Sequence, residues 1–556
     1  MQISEWIEKQ KDRLWFAVFL NIIFFAFQLA IFYPAFETND DMGVMSFVNG
    51  VKGTYDEHLV YVNSLWGRLL KALYTWNGTI QWYTVIQYGL LFISFTAITW
   101  VMLRWLKHGS ALWLVAVVLV VFTYQGYVRI QYTKSAGIYA AAGLLLLFYA
   151  IFQEKLAKAA WAAGMLLALI GSFYRFDQFL CEFALFTALG LYALLSAKRR
   201  GASHTLVKCV VTAGILAACA GAGKGADMLD YSQEDWRAYR EYDAARSDLL
   251  DYGVPDYDTY KETYDRLEID KAGWQMLRWW THTDTEKITA DTYRQLAALR
   301  EKKTISRQFF EDLAKTVGLG LLKIHGFWAA VLMALLWILR GRKGLSEWLT
   351  VLYLLAVTAF LYAFLFYRGR ILYTRVDTGI WLAAALIFMW LQKPGRRILP
   401  AGLCLVILLA AAGGMQYAGH EHWRIVCQQK AEQEHLDRQQ VLKEIHEDQE
   451  HLYLTKIGTV SYASSYGVWE AVPFGSGDNQ YPLGGWTANS PVYMEVLRRY
   501  GVGNPFRDMI DNDKVYLIDN AVDLTISYLQ TWYDQKAEAR LVREIGDLKV
   551  YQIVTK

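Results

Sequence analysis

The stretch LWFAVFLNIIFFAFQLAIFYPAFETNDD, Leu14–Asp41, decides how this chain is read. Leu14 to Phe36 is apolar. A spanning helix needs about 20 such residues, so this segment is long enough to cross a bilayer. It lacks a small-residue cleavage site and reads as a signal anchor rather than a removable leader. Lys9, Lys11 and Arg13 precede it, and Glu37-Thr38-Asn39-Asp40-Asp41 follows. Basic residues favour the cytoplasmic flank, so the N-terminus is expected in the cytoplasm and the acidic pair outside. Carboxylates at a membrane surface are costly to leave unpaired, and they are well placed for chemistry on a lipid-anchored substrate.

The rest of the chain extends the pattern. Of 556 residues, 54% are hydrophobic and 20% charged, which argues against a string of soluble domains. The net charge of +3 identifies no partner, because the charges segregate by side, and no nucleic-acid partner is expected. Further spans are expected near Trp82–Leu106, Ala111–Tyr127, Ser135–Phe152, Ala159–Phe173, Phe179–Ala197, Thr205–Gly221, Val317–Leu339, Leu345–Phe366, Thr378–Leu391 and Ile398–Tyr417. With the anchor this makes about eleven helices. The even-numbered ones end at basic clusters: Arg104 and Lys107, Lys155 and Lys158, Lys198-Arg199-Arg200, Arg340 to Lys343, then Lys393, Arg396 and Arg397. All fall on the cytoplasmic side if the N-terminus does. The fold expected is an α-helical polytopic membrane protein: a membrane domain over 1–417 with outer loops 37–81 and 222–316, then an extracytoplasmic domain over 418–556.

The outer parts differ in pattern. Loop 222–316 reads as helices over Asp235–Leu250, Asp258–Leu267, Lys271–Trp280 and Thr289–Lys302, with Thr289 as an N-cap. Its Trp236, Trp274, Trp279 and Trp280 either pack the loop at the membrane interface or stack on sugar rings. The tail alternates expected strands (Leu452–Lys456, Val515–Asp519, Leu548–Val554) with helices (Pro491–Tyr500, Val522–Trp532), which gives a small α/β domain. Asn479–Pro491, with Gly484-Gly485-Trp486, reads as a shaped loop, either scaffold or acceptor contact. Four of the five cysteines lie in spans and only Cys427 outside, so no disulfide is expected.

Chemistry is sought first at Asp40 and Asp41. Adjacent helical residues diverge by about 100°, so the two cannot face one point. One is expected to act as a base towards a hydroxyl, with Asp41 favoured as the one facing the cavity, while the other caps, orients or binds an ion. The bland alternative is a helix N-cap followed by an interfacial helix through Met42, Val44, Met45 and Val48. Cations on the outer side form the second set: Arg368, Arg370 and Arg375, then Arg129 and Lys134, then Arg175. Arginine forks match phosphate oxygens. The alternative is that Arg175–Asp177 and Arg375–Asp377 are internal ion pairs. His58, after Asp56 and Glu57, is either a ligand or an ordinary hydrogen-bonded residue.

The order of parts resembles the GT-C superfamily of membrane glycosyltransferases: cytoplasmic N-terminus, one span, an acidic pair in a long first outer loop, about a dozen helices and an outer C-terminal domain. The strings Thr38-Asn39-Asp40-Asp41, Asn49-Gly50, Gly53, His58 to Asn63 and Gly67 are similar to a family of uncharacterised bacterial multi-pass proteins of this type. So are Asn479-Gln480-Tyr481, Gly484-Gly485-Trp486 and Asn504-Pro505-Phe506-Arg507-Asp508. The resemblance implies transfer of a sugar from a polyprenyl-phosphate donor to an outer-surface glycan or lipid acceptor, with inversion. It implies Asp40 or Asp41 as base, or beside it, and Arg368, Arg370 and Arg375 on the phosphate. Some superfamily members use a divalent metal such as Mg or Mn and others none, and this chain shows no second acidic ligand set. The competing expectations are a polysaccharide polymerase or ligase with a lipid diphosphate donor, and a non-enzymatic flippase of lipid-linked glycans.

Overall fold

The computed structural model describes residues 9–108, 111–200, 203–300, 303–341, 343–370, 372–392, 413, 436–460 and 465–556. Ten of the expected spans coincide with helices. The eleventh, Ile398–Tyr417, lies outside the described residues except at 413, as do Cys404, Cys427, Arg396 and Arg397. Among the described residues seven helices are long and apolar enough to cross a membrane: Leu14–Ile31, Trp82–Leu106, Ala111–Val128, Tyr132–Ile151, Phe176–Ser196, His204–Asp230 and Leu345–Tyr367. Two more, Lys158–Tyr174 and Thr374–Trp390, are apolar but only 17 residues long.

The single span expected at Val317–Leu339 is two helices, Arg307–Leu321 and His325–Leu339, meeting at 90°. The break follows a last turn that tightens, with the Lys323 amide bonded to Gly320 and that of Ile324 to Leu321. Lys323 and His325 mark the break, but the apolar residues on both sides keep the whole stretch reading as one span.

Tyr132–Ile151 is the almost wholly buried centre of the helix bundle. Lys158–Tyr174 packs on it closely because small residues line the seam. A Cβ on Gly143 would stand 2.4 Å from the Ala168 nitrogen, and one on Gly164 2.8 Å from the Gly143 carbonyl. Such stripes let helix backbones approach within a membrane, where packing replaces the hydrophobic drive. Leu14–Ile31 lies at the perimeter and exposes Leu14, Phe19, Ile22, Ile23 and Phe27, the surface expected to face lipid.

At one end of the bundle three soluble pieces stack. Residues 234–298 form short helices around their own small core, Leu249, Tyr264, Leu277, Tyr293 and Leu296 among it. Thr289 caps Ala290–Ala298 in a capping box, as its position suggests. The C-terminal domain holds a five-stranded sheet of order β4-β3-β5-β7-β6. Its strands are β3 (Leu452–Thr455), β4 (Gln480–Pro482), β5 (Val515–Ile518), β6 (Ala537–Ile545) and β7 (Leu548–Thr555). Two short strands, β1 (Ala35–Phe36) and β2 (Arg129–Ile130), pair in parallel and join the end of the first span to the entry of the central helix.

The C-terminal domain sits directly on the first loop. The Gly475 and Gly477 amides donate to the Gly50 and Val51 carbonyls at 2.9 Å each. Tyr493 donates to Ser46 at 2.9 Å, and Lys52 donates to the carbonyls of Gly477 and Gln480 at 3.0 and 2.8 Å. This corrects the interfacial reading of Met42, Val44, Met45 and Val48. All four are buried within the protein, so helix Asp40–Val48 is roofed by the C-terminal domain rather than laid on lipid.

Candidate active site

Asp40 and Asp41 occupy the first turn of Asp40–Val48, where unsatisfied amides and the positive helix end favour carboxylates. Neither is the cap. The N-cap position is Asn39, and the Asp40 amide donates to Thr38 Oγ1 at 3.4 Å. The two carboxylates diverge as helical geometry requires. Asp41 points into the bundle and is fully buried, accepting from the Tyr83 hydroxyl at 2.9 Å and the Tyr132 amide at 3.4 Å. Burial pushes its pKa well above the usual carboxylate range, the Tyr83 hydrogen bond opposes that, and the Asp40 charge adds to it. Asp40 faces the other way and pairs with Arg375 at 2.9 Å, the two side chains being 21% and 31% exposed. The carboxylate that solvent or a substrate can reach is therefore Asp40, contrary to the preference for Asp41.

Arg375 stands in the first turn of Thr374–Trp390 and reaches Asp40 across 335 positions of sequence. The alternative Arg375–Asp377 pair does not form: Asp377 is buried and accepts from the Tyr362 hydroxyl at 2.7 Å. Arg175 lies in the extended link between Lys158–Tyr174 and Phe176–Arg200. Its guanidinium stands 5.3 Å over the Tyr61 ring and 3.7 Å from exposed Asp177. Desolvation works against its charge, but Tyr132, Asp177, Tyr61 and Asp40 together raise its pKa. Asp40 is thus paired with one arginine, Arg375, and lies within electrostatic range of a second, Arg175.

The chain of charges continues outward. Tyr61 donates to Asp243 at 3.5 Å and accepts from Arg246 at 3.4 Å. Arg246, almost fully buried, also holds Asp243 at 2.8 Å and lies 3.6 Å from Asp251. Asp251 accepts in turn from Arg370, which also reaches Ser247 at 3.1 Å. Burial raises the Asp243 pKa, and Arg246 opposes the shift. Arg370 is therefore engaged on loop 222–316 rather than beside Asp40, and Arg368 is exposed just past the end of Leu345–Tyr367. Lys134 is buried, paired with Glu37 and bonded to Gln125 and the Arg129 carbonyl, so it ties the β1–β2 link together. His58 is stacked on Trp236 at 4.5 Å and bonded to Asp56 at 2.7 Å, inside the contact between the two loops.

The structure thus brings Asp40, Arg375 and Arg175 together. It puts Asp41 behind them, gives Lys134, Arg370 and His58 other partners, and places Arg129 in β2. Among the described residues no group of three or more His, Cys, Asp or Glu is disposed to hold a metal ion. The Asp41 oxygens are bonded to Tyr83 and Tyr132, and Asp40 is bonded to Arg375. The donor set does not fit a divalent cation, and no metal-dependent step is derived.

Sequence reasoning missed the aromatic shell. Tyr83 and Tyr132, which hold Asp41, start apolar helices and look like interface aromatics. Tyr61 and Trp486 lie with ring centroids 4.8 Å apart and both remain half-buried. Trp236 is buried against Phe47 and His58, which assigns it to packing.

No protein-family model matches the chain, and no curated protein matches it. Among solved structures, it is similar to ArnT from Cupriavidus metallidurans bound to undecaprenyl phosphate. The identity is 10%, covering 96% of this chain and 97% of that one, with a TM-score of 0.35.

Proposed function

We propose that this multi-pass membrane protein is a glycosyltransferase that moves a sugar from a polyprenyl-phosphate donor to an acceptor hydroxyl, at the bundle end roofed by the C-terminal domain. The observation that carries the reading is the partly exposed Asp40–Arg375 pair, with Arg175 within electrostatic range of it. One carboxylate and two arginines are what such a transfer needs. The sugar–phosphate bond breaks as negative charge builds on the leaving phosphate, and guanidinium donors stabilise that charge. The acceptor oxygen becomes nucleophilic as a carboxylate takes its proton.

The pairing gives the reaction an order. Without donor, Arg375 is bonded to Asp40 and occupies the carboxylate. A phosphate that draws Arg375 away would free the carboxylate when a leaving group is present. Asp41 acts from behind, fixing Asp40–Val48 to Tyr83 and Tyr132. The basic clusters favour the opposite end as cytoplasmic, which makes this face extracytoplasmic in this reading, where a lipid-linked donor rather than a nucleotide sugar is supplied.

Purified protein in nanodiscs, given a polyprenyl-phospho-sugar and candidate acceptors, should release polyprenyl phosphate and form a glycosidic product of opposite anomeric configuration. Flux of lipid-linked glycan across sealed vesicles with no covalent product would replace this reading with the flippase.

A further inference from the structure

A buried amide and carboxyl lie where three apolar helices meet, and the transfer chemistry does not use them. Gln178 and Glu182 stand one turn apart on Phe176–Arg200, within its membrane-spanning stretch, and are 2% and 0% exposed. The Gln178 amide donates to Glu182 Oε1 at 2.7 Å. The other carboxyl oxygen, Oε2, has no hydrogen-bond partner among the described residues. Polar groups buried in a membrane bundle are costly and mark functional sites.

Two glycines make room for them. A Cβ on Gly379, of Thr374–Trp390, would run into Glu182 Oε1 and stand 2.7 Å from Gln178 Nε2. One on Gly137, of the central helix Tyr132–Ile151, would stand 3.2 Å from the same oxygen and 3.1 Å from the Gly379 Cα. The three helices are those that carry the site. The amide of Tyr132, which opens the central helix, holds Asp41. Gln178 Nε2 also donates to the Val376 carbonyl at 3.3 Å, and Val376 follows Arg375 in the first turn of its helix. On its own helix Gln178 lies one turn beyond Arg175, whose carbonyl accepts from the Phe179 amide at 3.0 Å. One side chain therefore ties together the two backbone segments from which Arg175 and Arg375 project.

We infer that Gln178, held by Glu182, is a positioning residue that sets the spacing of Arg175 and Arg375 for the donor phosphate. This rests on the transferase reading and adds to it a residue that touches no substrate. Arg375 must leave Asp40 to reach a phosphate, so its side chain moves while its backbone stays in register. Charge stabilisation depends on donors held in place before the reaction, by groups that are themselves locked. Single interhelical hydrogen bonds in membranes add little stability, so the value of this one lies in register.

The test is binding of polyprenyl phosphate to full-length protein in nanodiscs, with polyprenol as the uncharged control. Gln178→Leu/Glu182→Leu removes both partners at once, which strands no buried polar group and keeps the fold. It should weaken polyprenyl phosphate binding roughly tenfold and leave polyprenol binding unchanged. Glu182→Gln retains an acceptor for the Gln178 amide and should bind as wild type does. In an Arg375→Gln background the loss should shrink, because one of the two residues it acts through is gone. Phosphate binding unchanged in the double leucine variant, equal losses for phosphate and alcohol, or losses that add in full to that of Arg375→Gln overturn the inference. Wild type that binds polyprenyl phosphate and responds in this way, yet transfers no sugar, fails the transferase reading alone. Wild type that binds no polyprenyl phosphate overturns both.

Discussion

Replacing Asp40 with Asn tests the assignment most directly, because the structure sets what it should cost in stability and in rate. The Asp40–Arg375 pair is 2.9 Å long with both side chains partly exposed. Pairs of that kind contribute about 0.2–1 kcal/mol. Asp40→Asn should therefore leave folding nearly intact. As general base, the same carboxylate is worth about 10²–10⁴ in rate, roughly 3–5 kcal/mol of barrier. Asp41→Asn should show the opposite balance. Asp41 is fully buried and accepts from Tyr83 and Tyr132, so an amide nitrogen placed against either donor leaves a buried group unsatisfied. That costs about 1–3 kcal/mol of stability. The assay is release of polyprenyl phosphate in nanodiscs, run beside thermal unfolding of each variant. An Asp40→Asn protein with wild-type turnover refutes the base assignment. One that unfolds several kcal/mol more easily than wild type refutes the view of the pair as catalytic rather than structural.

Other perturbations probe how the site is held. Arg375→Gln should cost about 10²–10³ in kcat, as loss of a charge-stabilising donor does, with little change in melting temperature; equal losses on neutral and anionic leaving groups would contradict it. Gly484→Ala places a methyl 1.7 Å from the Trp280 carbonyl, a backbone group that cannot turn aside. It should destabilise by more than about 3 kcal/mol and speed hydrogen exchange along 479–491. Lys52 is buried between the first loop and β4, and desolvation lowers its pKa to about 7 despite the Asp478 charge. The unfolded chain therefore holds the extra proton between about pH 7 and 10.5, and stability should rise with pH across that window by up to about 1.4 kcal/mol per unit. Below it Lys52 is charged in both states and the burial cost is fully present. Melting curves of wild type and Lys52→Met at pH 7 and 9 should converge or cross in favour of wild type at the higher pH, and parallel curves would count against the burial argument.

What the sequence could and could not disclose follows from the range of each interaction. Spans are legible because a bilayer imposes length and apolarity locally, and every expected span before residue 392 meets a helix. The break near Leu322 escapes the same reasoning, since a bend changes backbone bonding and not composition. β6 escaped because AEARLVREI is built from good helix formers, yet pairing with β7 across the Gly546-Asp547 turn makes it an edge strand with a largely exposed face. There tertiary pairing overrides propensity. The site is harder for a stronger reason. Which arginine meets Asp40 is decided by how helices 335 positions apart pack, so three neighbouring arginines that look equivalent in sequence separate in space. Arg375 goes to Asp40, Arg370 to Asp251, and Arg368 to the surface. The acidic pair divides by the same logic. Its two members differ by one residue and about a quarter-turn of helix, yet that rotation turns Asp41 into the bundle against Tyr83 and Tyr132 and leaves Asp40 partly exposed. Asp41 is held by Tyr83 and Tyr132 of the bundle and Asp40 by Arg375, so removing the C-terminal domain should loosen Asp40–Val48 yet leave the two carboxylates distinct.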